Sequence, residues 1–318
     1  MNFIRFVPAY FERVWGGRNL EKFFNRNLNN SSPIGESWEI CDREDLSSKI
    51  TGGQFDSLTL RELLEKHSLY VLGSEKYSKM PFPILVKWLD CCENLSVQVH
   101  PPASVAKKLN AEPKSENWYF VKCQKDSKIF AGFNKKTSPE DFEKAITEAK
   151  AQDLLGALST KENTSIYIPS GRVHAIGAGN VVLEIQQNSD TTYRVYDFDR
   201  IPPRTLHIKE SLASIDFDDT TPTLLDCQKT SSTICDCEHF SIRVIHLKKG
   251  ESITFNSNEQ PRILSLTEGF LSSSSSEENP SSKILASENI LLPFAAKNSF
   301  VAEITSTILV TENFYKNA

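Results

Sequence analysis

Apolar positions along the chain fall into short runs closed by turn residues: "PILVKWLD", "LSVQVHP", "NWYFVKC", "SKIFAGF", "TSIYIPSG", "NVVLEIQQ", "FSIRVIHL", "SITFN", "RILSLTEG" and "STILVTEN". Such runs predict strands, and they are too short and too alternating for a doubly wound parallel sheet. Two segments break the pattern. "TLRELLEKH" predicts a short helix over Thr59–His67 with Thr59 as N-cap. "SPEDFEKAITEAKAQDLLGAL" predicts a longer helix within 138–158, capped by Ser138, with Pro139 at the first helical position and Phe142, Ile146 and Ala149 at helical spacing. The chain therefore reads as mainly β, with two β domains and a small helical insertion in the first. The acidic, then Thr- and Pro-containing stretch "DFDDTTPTL" (Asp216–Leu224) puts the division at 1–222 and 223–318. The serine-rich stretch Leu271–Ser282 reads as a hairpin loop.

Composition narrows the function classes. The 318 residues carry a net charge of -5 and no Lys/Arg-rich block, which argues against a nucleic-acid partner. No run of about 18 apolar residues is present, so no membrane span is expected. Arg5, Glu12 and Arg13 interrupt the N-terminal stretch, unlike the apolar core of a signal peptide. Seven cysteines at irregular spacing read as reduced thiols, and the expected location is cytoplasmic.

The candidate chemistry starts at "LSVQVHPP" (Leu95–Pro102). Strand alternation turns Val97 and Val99 one way and Ser96, Gln98 and His100 the other. A surface strand would carry Lys, Glu or Thr on its wet side; this one carries Gln and His. His174 follows a Pro-Ser-Gly turn, and Glu116 opens another strand. Two His and a carboxylate from separate strands, with a Gln nearby, can form a catalytic zinc site with an open position, although their spacing alone has no predictive power. A second constellation is "LEIQQNSDTTYRVYDFDR" (Leu183–Arg200). Glu184 and Gln186 share a strand face, and Arg194, Asp197, Asp199 and Arg200 follow. This is either a solvated loop with self-neutralising charges or an anion-binding, proton-transferring rim. In "CDCEH", Cys235, Cys237 and His239 would share a strand face if the strand ran through them, but no fourth metal ligand suggests itself. "WGGRN" lacks the strand and helix context of a dinucleotide site.

Five stretches, in order, resemble the type I mannose-6-phosphate isomerases, most closely the short bacterial form: "ERVWGGRNL", "IGESWEI", "LSVQVHP", "KSENWYF" and "SGRVHAIGAGNVVLEIQQNSDTTYRVYDFDR". The resemblance covers the first two thirds of the chain and is loose thereafter. It implies a pair of cupin-type jelly-roll β domains. It implies one zinc per chain, held by Gln98, His100, Glu116 and His174, with Pro101 and Pro102 ending the strand at the barrel mouth. It places Glu184 and Arg194 at the reacting end of a phosphorylated hexose. The implied reaction interconverts mannose 6-phosphate and fructose 6-phosphate through a zinc-stabilised enediol, with Lys114 or Glu184 as general base and Arg194 as electrostatic clamp. Trp15 and Trp118 either wall the sugar pocket or pack the core. The family's Gly-Leu-Thr-Pro turn after the arginine is absent here, although Arg200 keeps its basic end point. The phosphate is then expected to meet a different set, drawn from Arg200, Arg172, Arg13 and Lys114. The alternatives are a non-catalytic sugar-phosphate-binding cupin and a metal-dependent cupin oxygenase.

Overall fold

The computed structural model describes residues 2–28, 31–228, 230–273 and 283–315. The chain divides into two compact units that interleave in sequence. One comprises Met1–Ala9, Trp38–Val86 and Cys227–Ala318; the other comprises Tyr10–Ser37 and Lys87–Asp226. The division falls inside three strands, Ala9–Gly17, Ile34–Ile40 and Ile84–Cys91.

The unit built on Lys87–Asp226 contains a five-stranded sheet in the order Tyr193–Tyr196, Val97–Val99, His174–Ile176, Lys128–Phe133, Leu155–Ser159. Its second sheet has the central order Thr164–Ile168, Glu116–Cys123, Asn180–Gln187, Ile84–Cys91. Neighbours that are not consecutive in the chain are the mark of jelly-roll connectivity. Between the two sheets lies an apolar cluster that includes Trp118, Phe120, Ile129, Ile166, Ile176 and Val182. A second cluster lies on the other face of the five-stranded sheet. There Val97, Val99, Val173, Ala175 and Val195 pack with Phe142 and Ile215, contributed by the helix Pro139–Thr147 and by the end of the helix Ile208–Ser214. The valines of "LSVQVHPP" therefore pack under a helical layer, and the polar side of that strand faces between the sheets.

The other unit pairs a six-stranded sheet with a four-stranded one, again with non-consecutive neighbours. Phe270–Ser273 pairs antiparallel with Lys283–Leu285 on either side of the serine-rich stretch; Ser274–Ser282, where a hairpin loop was expected, lie outside the described residues.

Two helix expectations need correction. The first helical stretch spans Leu60–Leu72 but breaks at His67, whose φ of -137 and ψ of 28 are non-helical, so the expected end at His67 falls on a kink beyond which a further helical turn follows. Thr59 and Glu62 form a reciprocal capping box, and the chain leaves through Gly73 at φ 77. The helix expected within 138–158 covers only Pro139–Thr147, with Ser138 and Pro139 placed as expected. Ala149 turns left-handed, and a short 3-10 turn follows at Ala151–Leu154. Leu155–Ser159 then becomes a strand, because pairing with Lys128–Phe133 satisfies its backbone and buries Leu155. Long-range pairing overrides local helix preference there. Among the described residues, no helix is long and apolar enough to cross a membrane. None of the seven cysteines, all among the described residues, is in a disulfide.

Candidate metal centre

Strand register explains how distant residues meet. His174 lies opposite Gln98, and Gln98 lies opposite Arg194, so these three side chains share one face of the five-stranded sheet. On the other sheet Glu116 lies opposite Gln186, and Trp118 opposite Glu184. The turn before His174 requires Gly171 at φ 92, and the Gly171 N–H donates to the His100 carbonyl at 2.8 Å. That bond ties the two histidine-bearing segments together.

His100, Glu116 and His174 are fully buried, and one ligating atom from each lies within 4.8 Å of the others. His100 Nε2 is 3.4 Å and His174 Nε2 3.5 Å from the Glu116 carboxylate. Two donor atoms about 2.1 Å from one tetrahedral ion lie about 3.4 Å apart, so these separations suit zinc. His100 Nδ1 meets the Thr191 carbonyl at 2.9 Å, and His174 Nδ1 meets the Arg172 carbonyl at 2.8 Å. Each carbonyl can only accept, so each ring carries its proton on Nδ1 and turns a bare Nε2 toward Glu116. His100 Nε2, His174 Nε2 and Glu116 Oε1 are buried without a hydrogen-bond partner, and Glu116 Oε2 has the Lys114 ammonium beside it. Glu116 has the Lys114 ammonium 3.0 Å from one oxygen, but the two bare imidazole nitrogens that face it have no donor to meet them, a cost in a protein interior that a metal cation would remove. The donor set fits a borderline divalent ion such as zinc. Among the described residues this is the one His/Cys/Asp/Glu group with that arrangement.

Charges around the cluster are arranged to keep the ligands in binding form. Burial, reinforced by His100, pulls the His174 imidazolium down to about 3, and burial with Lys114 lowers His100. Burial opposes ionisation of Glu116, but Lys114 and His100 outweigh it and hold the carboxyl well below its usual range. Lys114 Nζ lies 3.0 Å from Glu116. Desolvation works against its charge, yet Glu116 and Glu184 keep its pKa raised. Glu184 behaves differently. Burial first, then Glu116, raise its pKa, while Lys114 and Lys87 pull the other way. The Trp118 indole N–H donates to Glu184 at 3.1 Å, and Lys87 Nζ lies 3.7 Å from its other oxygen.

The remaining expected residues divide. Gln98 is half-buried on the His174 face. Arg194 donates through Nη1 to the Thr205 carbonyl at 2.7 Å, and its Nε is buried without a partner. Its strand pairs with Val97–Val99, so it reaches the ligand-bearing sheet directly. Trp15 is buried in the apolar cluster with Trp118 and Ile166. Arg172 forms a two-pronged pair with Asp219 at 2.7 and 2.8 Å, and its third nitrogen donates to the Tyr167 carbonyl. Arg200 pairs with Glu93 at 2.7 Å and with Asp197 at 3.4 Å. The strand imagined through Cys235, Cys237 and His239 stops at Asp236, where a turn closes by a bond from Cys237 N–H to the Phe240 carbonyl.

Sequence reasoning missed Lys87. It is 3% exposed in a strand buried along its whole length, and it stands between Glu184 and Glu36, which in turn pairs with Arg13. A lone lysine inside the apolar run "PILVKWLD" was the available signal, because a buried ammonium needs an acidic partner.

Two facing antiparallel sheets with a buried His/Glu/His cluster between them define a cupin-type metal-binding protein. The model of the phosphomannose isomerase type I catalytic domain matches residues 3–150. Mannose-6-phosphate isomerase ManA of Bacillus subtilis is 35% identical over 263 residues, covering 78% of this chain and 80% of that protein. The crystal structure of the mannose 6-phosphate isomerase from Bacillus subtilis superimposes with a TM-score of 0.80 at 28% identity, covering 98% of this chain and 99% of the other. A holo, zinc-bound mannose 6-phosphate isomerase shares the fold at a TM-score of 0.77 and 14% identity, covering 98% and 100%. The chain belongs to the type I phosphomannose isomerase family.

Proposed function

We propose that the protein is a cytoplasmic mannose-6-phosphate isomerase, interconverting mannose 6-phosphate and fructose 6-phosphate, with one zinc per chain on His100, Glu116 and His174 and with Gln98 as a further ligand. The observation that carries this reading is the buried group His100, Glu116 and His174, with ligating atoms within 4.8 Å of one another and both histidine Nε2 atoms without a hydrogen-bond partner. The family membership supplies the substrate. In this reading the catalytic residues all fall within 1–222, and Cys227–Ala318 supplies most of a second, cupin-like unit.

Zinc, when bound, supplies Lewis acidity that polarises a substrate oxygen and makes the neighbouring C–H more acidic. Moving a proton between C1 and C2 is then the task of Glu184. Its carboxyl has a raised pKa, which suits a base that must also return the proton. The Trp118 indole holds one oxygen and so sets the direction of the other. Lys114 stays cationic against Glu116 and acts as an electrostatic neighbour. Arg194 faces the oxygen that gains charge during proton transfer. Trp15 packs the apolar cluster that backs Trp118. Arg172 and Arg200 meet the phosphate only by exchanging part of their present pairing with Asp219 and Glu93.

The test is a coupled mannose 6-phosphate assay on protein of measured metal content. Turnover with zinc supports the proposal. Binding without turnover supports a sugar-phosphate binder, and oxygen uptake with iron supports an oxygenase. Glu184→Gln is expected to keep its zinc and lose roughly 10²–10⁴ in kcat. A Glu184→Gln rate near wild type, with a large loss in Lys114→Met, would transfer the base role to Lys114.

A further inference from the structure

We propose that Gln186 and Ser189 position His100, and so set the metal affinity of the site, by holding the main-chain carbonyl of Thr191. The inference rests on the zinc reading above and adds two residues to it.

A histidine that binds a metal is oriented by whatever accepts its other ring N–H. For His174 that acceptor is the Arg172 carbonyl, in a tight turn fixed by the Arg172–Asp219 pair. For His100 it is the Thr191 carbonyl, in the connection between the strands Asn180–Gln187 and Tyr193–Tyr196. A main-chain carbonyl in a connecting segment is only as well placed as the segment itself. Here side chains hold the segment. Gln186 is fully buried, and its Nε2 donates to the Gln187 carbonyl at 2.8 Å and to the Ser189 carbonyl at 2.7 Å. Ser189 Oγ accepts from the Thr191 N–H at 3.2 Å and donates to the Glu112 carbonyl at 3.4 Å. Thr191 Oγ1 accepts from the Glu112 N–H at 3.2 Å. The path from Gln186 through Ser189 to Thr191 ends on the ring of His100.

The orientation of the Gln186 amide is determined by its surroundings. Both amide hydrogens have carbonyl acceptors, and the reversed amide would set its oxygen against two carbonyl oxygens. Its Oε1 is buried and has no hydrogen-bond partner. The side chain thus uses both donors and leaves its acceptor unused, so its contribution lies in what its N–H pair holds. No side-chain substitution removes the Thr191 carbonyl, so Gln186 and Ser189 are the residues through which its position is tunable.

The experiment measures the zinc dissociation constant by competition with a chelating dye, and the visible spectrum of the cobalt-substituted protein. Gln186→Met and Ser189→Ala are each expected to weaken zinc binding about 10- to 100-fold and to alter the cobalt spectrum. Ser189→Thr keeps the hydroxyl and is expected to stay near wild type. Should Gln186→Met fail to fold, the smaller Ser189 pair carries the comparison. The inference is overturned if wild type binds one zinc and the variants match it in affinity and spectrum, or if they only lower the melting temperature of the metal-free protein. A wild-type protein that binds no zinc overturns the metal reading itself, and this inference with it.

Discussion

In the unit that ends the chain, the strands Arg262–Glu268 and Ser306–Glu312 turn Leu264, Leu266, Ile308 and Val310 into a cluster completed by Ile290, Leu292 and Phe300. In the unit built on Lys87–Asp226, the space between the sheets is apolar at Ile129, Ile166 and Ile176 but carries His100, Glu116 and His174 as well. Both units pair antiparallel sheets, so the architecture does not separate them. The histidines do. His246 of the first unit has both ring nitrogens engaged, at 3.2 Å with Thr307 and 2.7 Å with the Cys227 carbonyl. His100 and His174 each engage one nitrogen with a carbonyl and leave Nε2 bare. A satisfied histidine is a structural residue. One held by a single nitrogen, with the other left bare toward a buried carboxylate, is a ligand. Function sits in such a site and not in the fold that carries it.

The largest expected effect comes from making the two interiors alike. His174→Ala should remove zinc and reduce isomerase activity by at least about 10³, since a catalytic zinc site has few protein ligands to spare. Metal analysis beside the coupled assay decides this, and full activity in a demonstrably metal-free sample refutes the proposed mechanism. Next comes Arg194→Ala, expected to lower kcat by roughly 10²–10³ with zinc content near normal, the scale of losing one preorganised oxyanion donor. A rise in KM at unchanged kcat would instead assign Arg194 to ground-state phosphate binding. A core truncation on the other side sharpens the contrast. Leu264→Ala should cost about 2–5 kcal/mol of stability in denaturant unfolding and leave the zinc stoichiometry at one. Loss of metal in that variant would show that the two interiors are not chemically separate. The smallest effect belongs to Cys235→Ser with Cys237→Ser. Zinc content should not change, and loss of one metal per chain would reveal a second site.

Much of the local structure is legible in the sequence. Alternation separated Val97 and Val99 from Gln98 and His100, and the N-cap residues Thr59 and Ser138 with Pro139 marked two helix starts. These are short-range facts: side-chain periodicity and capping depend on neighbours within a few positions. Helix ends were less legible. Leu155–Leu158 looked helical in isolation and joined the strand Leu155–Ser159 because Lys128–Phe133 lies beside it. Resemblance to a family named the ligands, but spacing did not.

His100, Glu116 and His174 stand 16 and then 58 residues apart in the chain, with no period linking them. The chain itself established strand faces, helix starts and the supply of ligand-type side chains. Long-range register established the rest: that Gln98 lies opposite His174, that Glu116 lies opposite Gln186, and that Lys87 meets Glu184. It also set the pairing of Arg172 with Asp219 and the direction of the Gln186 amide. The physical reason is that a one-residue slip in pairing reverses every side chain on a strand. Which slip is avoided depends on burying the apolar face of one strand against residues far away in sequence, and that sum exists only once the sheets have closed.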